Sequence, residues 1–373
     1  MQQLHSKNLT LIHGIRGIAA LIVAIGHSKL FFWSGGTNYI IKYPVSDWHI
    51  SDYIVFIFDM ASSNSSAMVV IFFVLSGFFI SSTLNKNKWT LTGFYKVRFL
   101  RIYIPFVFSL LIAGLFFYIT FIINNTPTPE GELSILVSET KNSFNIGTFF
   151  KTLFFLRNEK GLYFAMNYPY WSLFHEAIFY LIAPFIFMQL KWSFLLSFVL
   201  YVTGFFINSN SMWLEFIFHY YFYFNLGMIF FIIVSKGAFF SSKNYYWLII
   251  VSLFILSLYV HHLIGYRLSF LIAGVSSILA IHQILFSKIE EKKIFFPIRK
   301  LGMISYSLYL YHVPIYVLIC FLIYNSGIIL NIYNRSYYLF AMIAVMLSFL
   351  LYEICEGPSL KFIQRFRTQI KRR

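Results

Sequence analysis

Residues 102–123 read IYIPFVFSLLIAGLFFYITFII, 22 residues without a charge. As a helix they rise ~33 Å, which matches a hydrocarbon core ~30 Å thick. Nine further apolar runs flank this one: 10–32, 67–84, 171–188, 192–208, 213–234, 245–262, 268–286, 303–325 and 336–355. The runs at 171–188 and 192–208 are short, and Pro184 and Lys191 fall in that stretch, so one bent unit there is also open. No internal repeat is visible. Of the 373 residues 59% are hydrophobic, 22% aromatic and 11% charged. Soluble domains carry roughly 25% charged residues, so this chain lacks the polar coat of a water-soluble enzyme. Disorder, collagen and a disulfide scaffold are excluded as well. The solid runs do not alternate apolar and polar as barrel strands do. The expected fold is all-α: a polytopic bundle of about ten membrane-spanning helices, one membrane domain over 1–373 with a basic tail from about 359.

The formal net charge is +16. In a soluble chain this would point to nucleic acid. Here the charge sits between apolar runs, where it sets topology. Ten spans put both termini on one side. That side holds Lys7, Lys86, Lys88, Lys96, Arg98, Arg101, Lys191, Lys236, Lys243, Lys288, Lys292, Lys293, Arg299, Lys300, Lys361, Arg365, Arg367, Lys371, Arg372 and Arg373. The other side holds Lys29, Lys42, Lys141, Lys151, Arg157, Lys160, Arg267 and Arg335. The 20:8 split predicts cytoplasmic termini. The first run lacks a small-x-small cleavage site and reads as a retained signal anchor. Cys320 and Cys355 lie in apolar segments and read as packing residues. Two long outer loops remain, 33–66 and 124–170. The second opens with the turn-rich Asn124-Asn125-Thr126-Pro127-Thr128-Pro129. Its aromatic half, 147–165, suits the membrane interface.

An ionisable residue inside a span is costly and marks a functional candidate. Arg16 and His27 stand 11 residues apart in the first run. That is three turns plus about 20°, so they share a helix face ~16 Å apart along the axis. Two readings stay open: an anion site with a deeper titrating group, or a snorkelling Arg with an interfacial His. The fourth run opens Trp171-Ser172-Leu173-Phe174-His175-Glu176. A carboxylate there can fix the tautomer of a nearby imidazole, His27 included, or it can belong to an interfacial aromatic belt. Glu353, Glu356 and His312 read as structural before chemical. Arg98 and Arg101, three apart on a helix, share a face and suit a phosphate, or serve only as topology charge. Ser76-Gly77 suits close helix packing.

Taken together, these segments resemble the membrane acyltransferase-3 family. Gly14-Ile15-Arg16-Gly17-Ile18-Ala19-Ala20 running to Gly26-His27 is similar to its opening signature, an Arg followed after ten residues by His. Phe72-Phe73-Val74-Leu75-Ser76-Gly77-Phe78 resembles the second-helix motif. Arg98 and Arg101, followed by Tyr103 and Pro105, resemble its Arg-x-x-Arg start of the third helix. Trp171-Ser172-Leu173 through Glu176 to Phe179-Tyr180 resembles its Trp-Ser-Leu-x-x-Glu block. Gly302 with Ile304-Ser305-Tyr306-Ser307-Leu308-Tyr309-Leu310-Tyr311-His312 and Pro314 resembles the penultimate-helix motif, and Glu356-Gly357-Pro358 its terminal Glu-x-Pro. The matches fall in one order over most of the chain. His13 replaces an acid usual before Gly14, Ala177 stands where a second acid often occurs, and Tyr311 replaces a Trp.

The resemblance implies acyl transfer, usually acetyl, from cytoplasmic acetyl-CoA, with no metal. The implied acceptor is a hydroxyl on an envelope glycan or lipid-linked saccharide, such as O-antigen, lipopolysaccharide, exopolysaccharide or capsule. It also implies a multi-pass protein of the bacterial inner membrane, whose partners are membrane lipids and not nucleic acid. The catalytic set implied is His27 as general base, with Glu176 or His175 orienting it or relaying its proton. Donor binding falls to Arg16, Arg98, Arg101, Tyr309 and His312. Direct transfer and an acyl-enzyme are both open. The rival from another class is a transporter or flippase using the same Arg and His. It would need an inverted repeat or paired broken helices, and neither is visible.

Overall fold

The computed structural model describes residues 6–86, 90–128, 131–207, 211–237, 242–286 and 296–370, with backbone alone for 6–9 and 366–370. Lys88, Pro129, Lys288, Lys292, Lys293, Lys371, Arg372 and Arg373 lie outside the described residues, and nothing is described of the side chains of Lys7 and Arg367. In chain order the α-helices are α1 (Ser6–Phe32), α2 (Gly36–Lys42), α3 (Ile50–Ala61), α4 (Ser65–Leu84), α5 (Leu91–Phe117), α6 (Glu132–Asn142), α7 (Ile146–Leu153) and α8 (Trp171–Met188). They continue as α9 (Leu190–Thr203), α10 (Met212–Glu215), α11 (Tyr221–Ser235), α12 (Tyr246–Leu263), α13 (Tyr266–Phe286), α14 (Phe296–Asn325), α15 (Tyr337–Leu351) and α16 (Gly357–Ile370). No strand occurs among the described residues.

Nine of the helical segments in the described residues are long and apolar enough to cross a membrane. The tenth expected span is present as a shorter apolar helix, Leu190–Phe206. It is separated from α8 by Gln189, which leaves helical geometry (φ −125, ψ 39). The helices are longer than the apolar runs. α5 begins at Leu91, so Arg98 and Arg101 are helical residues, as expected. α14 begins at Phe296, seven residues before the apolar run. Neither Cys320 nor Cys355 is in a disulfide.

The chain forms two compact units. One comprises residues 1–19, 60–95 and 175–303, and the other 20–59, 96–174 and 304–373. In the first, α4 and α11 meet through glycines. A Cβ on Gly77 would lie 2.0 Å from the Phe224 carbonyl oxygen, and one on Gly227 1.9 Å from that of Val74. Without a hydrophobic driving force between helices in lipid, such close backbone approach supplies the dispersion that holds them. Phe224 then stacks with Phe179 at 4.1 Å and tilts on Phe73 at 4.6 Å. The Ser76-Gly77 motif therefore packs as its small residues suggest. The opening and penultimate motifs also meet here: a Cβ on Gly17 would fall 2.5 Å from the Gly302 nitrogen.

The second unit is organised by α14, whose residues from Ile304 to Val317 are nearly all buried. Its phenols bond outward to neighbouring backbones. Tyr306 donates to the Ile102 carbonyl at 2.9 Å, and Tyr316 to that of Ala24 at 2.8 Å. Buried Glu356 accepts from the Ser307 amide at 3.1 Å and from its hydroxyl. Each phenol thus has its polar end satisfied while its ring fills the core.

Candidate active site

His27 lies on the C-terminal half of α1 and His312 near the middle of α14. His27 Nδ1 and His312 Nε2 are 2.8 Å apart, with ring centroids at 5.0 Å. His312 is fully buried, and its Nδ1 lies 2.9 Å from the carbonyl oxygen of Leu308, one turn back. A carbonyl only accepts, so His312 Nδ1 carries a proton. In a neutral imidazole the other nitrogen then accepts, and the shared hydrogen belongs to His27 Nδ1. For the neutral pair this leaves Nε2 as the basic nitrogen of His27. The backbone of α14 thereby sets the tautomer of a side chain on α1.

Tyr168 closes the other side, its ring edge-on to His27 at 4.7 Å. It belongs to an unusual segment. Ala165 (φ 56) and Met166 (φ 61) both adopt the left-handed conformation, which costs of order 1–3 kcal/mol per non-glycine residue and persists only where neighbours impose it. The neighbours are on α14 and α5. Asn167 Nδ2 donates to the Leu310 carbonyl at 3.0 Å, and Tyr309 donates to that of Pro169 at 3.0 Å. The hydroxyls of Ser172 and Tyr309 are 2.7 Å apart, and those of Tyr170 and Ser109 2.8 Å. Tyr309, expected at the donor, holds this segment through its hydroxyl.

The remaining expected residues are placed as follows. Arg98 is 6% exposed and Arg101 half-buried, one turn apart on α5 in the second unit. Arg16 lies in the first unit with its guanidinium 5.7 Å from the centre of the Phe72 ring. Glu176 is also in that unit. It accepts from Ser76 Oγ at 3.3 Å and from the hydroxyl of Tyr180, so the second-helix and fourth-helix motifs meet on one carboxylate. Fully buried His175 has its Nε2 3.9 Å from Glu215 Oε2 and rests on the Tyr220 ring at 4.5 Å. The hydrogen bond at His27 Nδ1 is thus made to His312, a partner the sequence reading assigned to the donor.

A family model described as an acyltransferase domain matches residues 10–353. The chain belongs to the acyltransferase-3 family. It is a polytopic α-helical membrane acyltransferase. A protein of Rhizobium radiobacter named "Protein 2 in picA locus" is 29% identical over 184 residues, covering 48% of this chain and 82% of that one. No solved structure matches.

Two features went unread in the sequence. Tyr168 lies outside every apolar run and carries no charge to flag it. Lys29 did carry a signal, being an ionisable residue inside the first run two positions beyond His27. Its ammonium donates to the carbonyl oxygen of Asp59. The buried Asp59 carboxylate accepts from Arg335 Nε at 2.9 Å, from Tyr338 at 2.9 Å and from Tyr337. Arg335, between spans, also donates to the Tyr39 hydroxyl at 2.9 Å. Burial pulls its pKa down, but the contact with Asp59 outweighs this and leaves it raised.

Proposed function

We propose that the protein moves an acyl group, acetyl in the simplest case, from acyl-CoA to a hydroxyl of an envelope glycan or lipid-linked saccharide. His27 is the general base. Its Nε2 takes the proton of the acceptor hydroxyl as that oxygen attacks the thioester carbonyl. The C–S bond then breaks, and the imidazolium returns the proton to the departing thiolate. His312 accepts from His27 Nδ1, holds the productive tautomer and shares the charge of the imidazolium, as a carboxylate does in other base pairs. The observation that carries this reading is the 2.8 Å contact between the two imidazoles, together with the 2.9 Å contact that orients the second.

On the donor side, Arg98 and Arg101 offer two guanidiniums on one face of α5, a fork geometry suited to the phosphates of coenzyme A. The excess of Lys and Arg on that side of the spans supports a cytoplasmic position for it, and the inner membrane as the location. The test is transfer of label from radiolabelled acetyl-CoA to envelope glycan by the purified protein. Covalent label that depends on His27 supports the reading. Transport of the glycan without covalent label would overturn it in favour of a flippase.

A further inference from the structure

Beside the imidazole pair, within the same unit, lies a cavity of about 160 Å³. Leu136, Arg157, Tyr163, Met166, Tyr168 and Trp171 line it. At ~30 Å³ per water it holds about five waters, which is room for one edge of a sugar ring. Its composition is that of a ligand site: aromatic walls, one cation and few other polar groups. The indole of Trp171 and the ring of Tyr163 are flat apolar surfaces of the kind that take the C–H face of a pyranose.

Three observations tie the cavity to the reacting centre. Tyr168 forms part of its wall while its ring centroid lies 4.7 Å from that of His27, the two rings steeply inclined. The Tyr168 oxygen is buried and has no hydrogen-bond partner among the described residues, which makes it an acceptor and donor in want of a ligand hydroxyl. Met166, another wall residue, follows Ala165 in left-handed backbone, and the clamps from Leu310 and Tyr309 hold the segment in that form. Strain of this kind is kept where it shapes a site.

We propose that this cavity is the acceptor subsite and that it selects a sugar bearing a carboxylate. Resting on the acyltransferase reading, the proposal adds the substrate class. Arg157 meets the carboxylate, Trp171 carries the ring, and Tyr168 passes the ring's hydroxyl edge toward His27. The guanidinium recognises a planar anion through paired hydrogen bonds, so a neutral hexose in the same place loses that contact.

The test is equilibrium dialysis of the full-length protein in detergent. The probe is a tritium-labelled hyaluronan tetrasaccharide, compared with the same tetrasaccharide after reduction of its carboxylates to hydroxymethyl groups. The acidic form is expected to bind about 10-fold tighter, the scale of one charge-assisted contact. Arg157→Gln removes that difference, and Arg157→Lys keeps part of it, which shows that the variant position is not simply unfolding the chain. Trp171→Ala weakens both forms. Equal binding of the two forms, a preference that survives Arg157→Gln, or no binding of either overturns the proposal. Selective binding that depends on Arg157, with no acyl transfer in the radiolabel assay, upholds the subsite and overturns the acyltransferase mechanism alone.

Discussion

Two polar clusters share the C-terminal half of α1, and they are built to opposite ends. His27 belongs to a pair of imidazoles in an aromatic surround. Lys29, two residues on, belongs to a cluster in which Asp59 receives two phenols and a guanidinium while the lysine binds its backbone carbonyl. In the Asp59 cluster the carboxylate is saturated. Each carboxylate oxygen has a partner, and the arrangement ties α1, α3 and the start of α15 together. In its neutral form the imidazole pair holds its hydrogen in one defined place. A buried charge must be fully paired to be tolerated, so the first arrangement serves stability. A neutral base can gain and lose a proton without leaving an unpaired charge in its resting form, so the second suits chemistry.

The contrast can be broken from either side. His27→Ala is expected to have the largest effect, a loss of at least 10²–10⁴-fold in acyl transfer with little change in thermal midpoint. Label transfer and a thermal scan of the same preparation measure the two. A mutant with full transfer would remove His27 from the chemistry. Asp59→Ala is the mirror image. It leaves Arg335 without its carboxylate and is expected to cost about 3–5 kcal/mol of stability, read as a lowered midpoint, while turnover per folded molecule persists. If activity falls and stability does not, the two clusters are one site.

His312→Ala sharpens the comparison, because it removes the group that sets the tautomer and leaves the base. A drop of about 10–100-fold in kcat, with KM for donor and acceptor unchanged, is expected. A merely structural role would instead lower the thermal midpoint and leave kcat per folded molecule intact. The smallest effect is expected from Arg98→Gln with Arg101→Gln. Losing two charge-assisted contacts at a partly buried site should raise KM for acetyl-CoA about tenfold and leave kcat near its original value. An unchanged KM would return the pair to a topological role.

The spans were legible because the bilayer imposes a length and a composition that few other environments impose. Each of the ten apolar runs is helical over most of its described residues, and the nine long ones end within a few residues of the expected places or run beyond them. They run beyond at α5 and α14 because polar and basic residues can extend a helix past the hydrocarbon without breaking its hydrogen bonds. Arg16, His27, Arg98 and Glu176 were legible because ionisable groups in or beside spans are rare. Their partners were not. The Glu176 carboxylate bonds Ser76 and Tyr180, a hundred residues back and one turn forward. The left-handed backbone at Ala165 and Met166 had no glycine to announce it.

Sequence alone determined that this is a helical membrane protein, where its spans lie and which motifs it carries, since hydrophobic length and local spacing are properties of short segments. Only the tertiary structure decided that His312 is the residue on His27, that Tyr168 stands between that imidazole and a cavity, and that Lys29 answers to Asp59. These are contacts across 30 to nearly 300 residues of chain. No local pattern encodes them, because they depend on which helix faces meet once the apolar surfaces have packed.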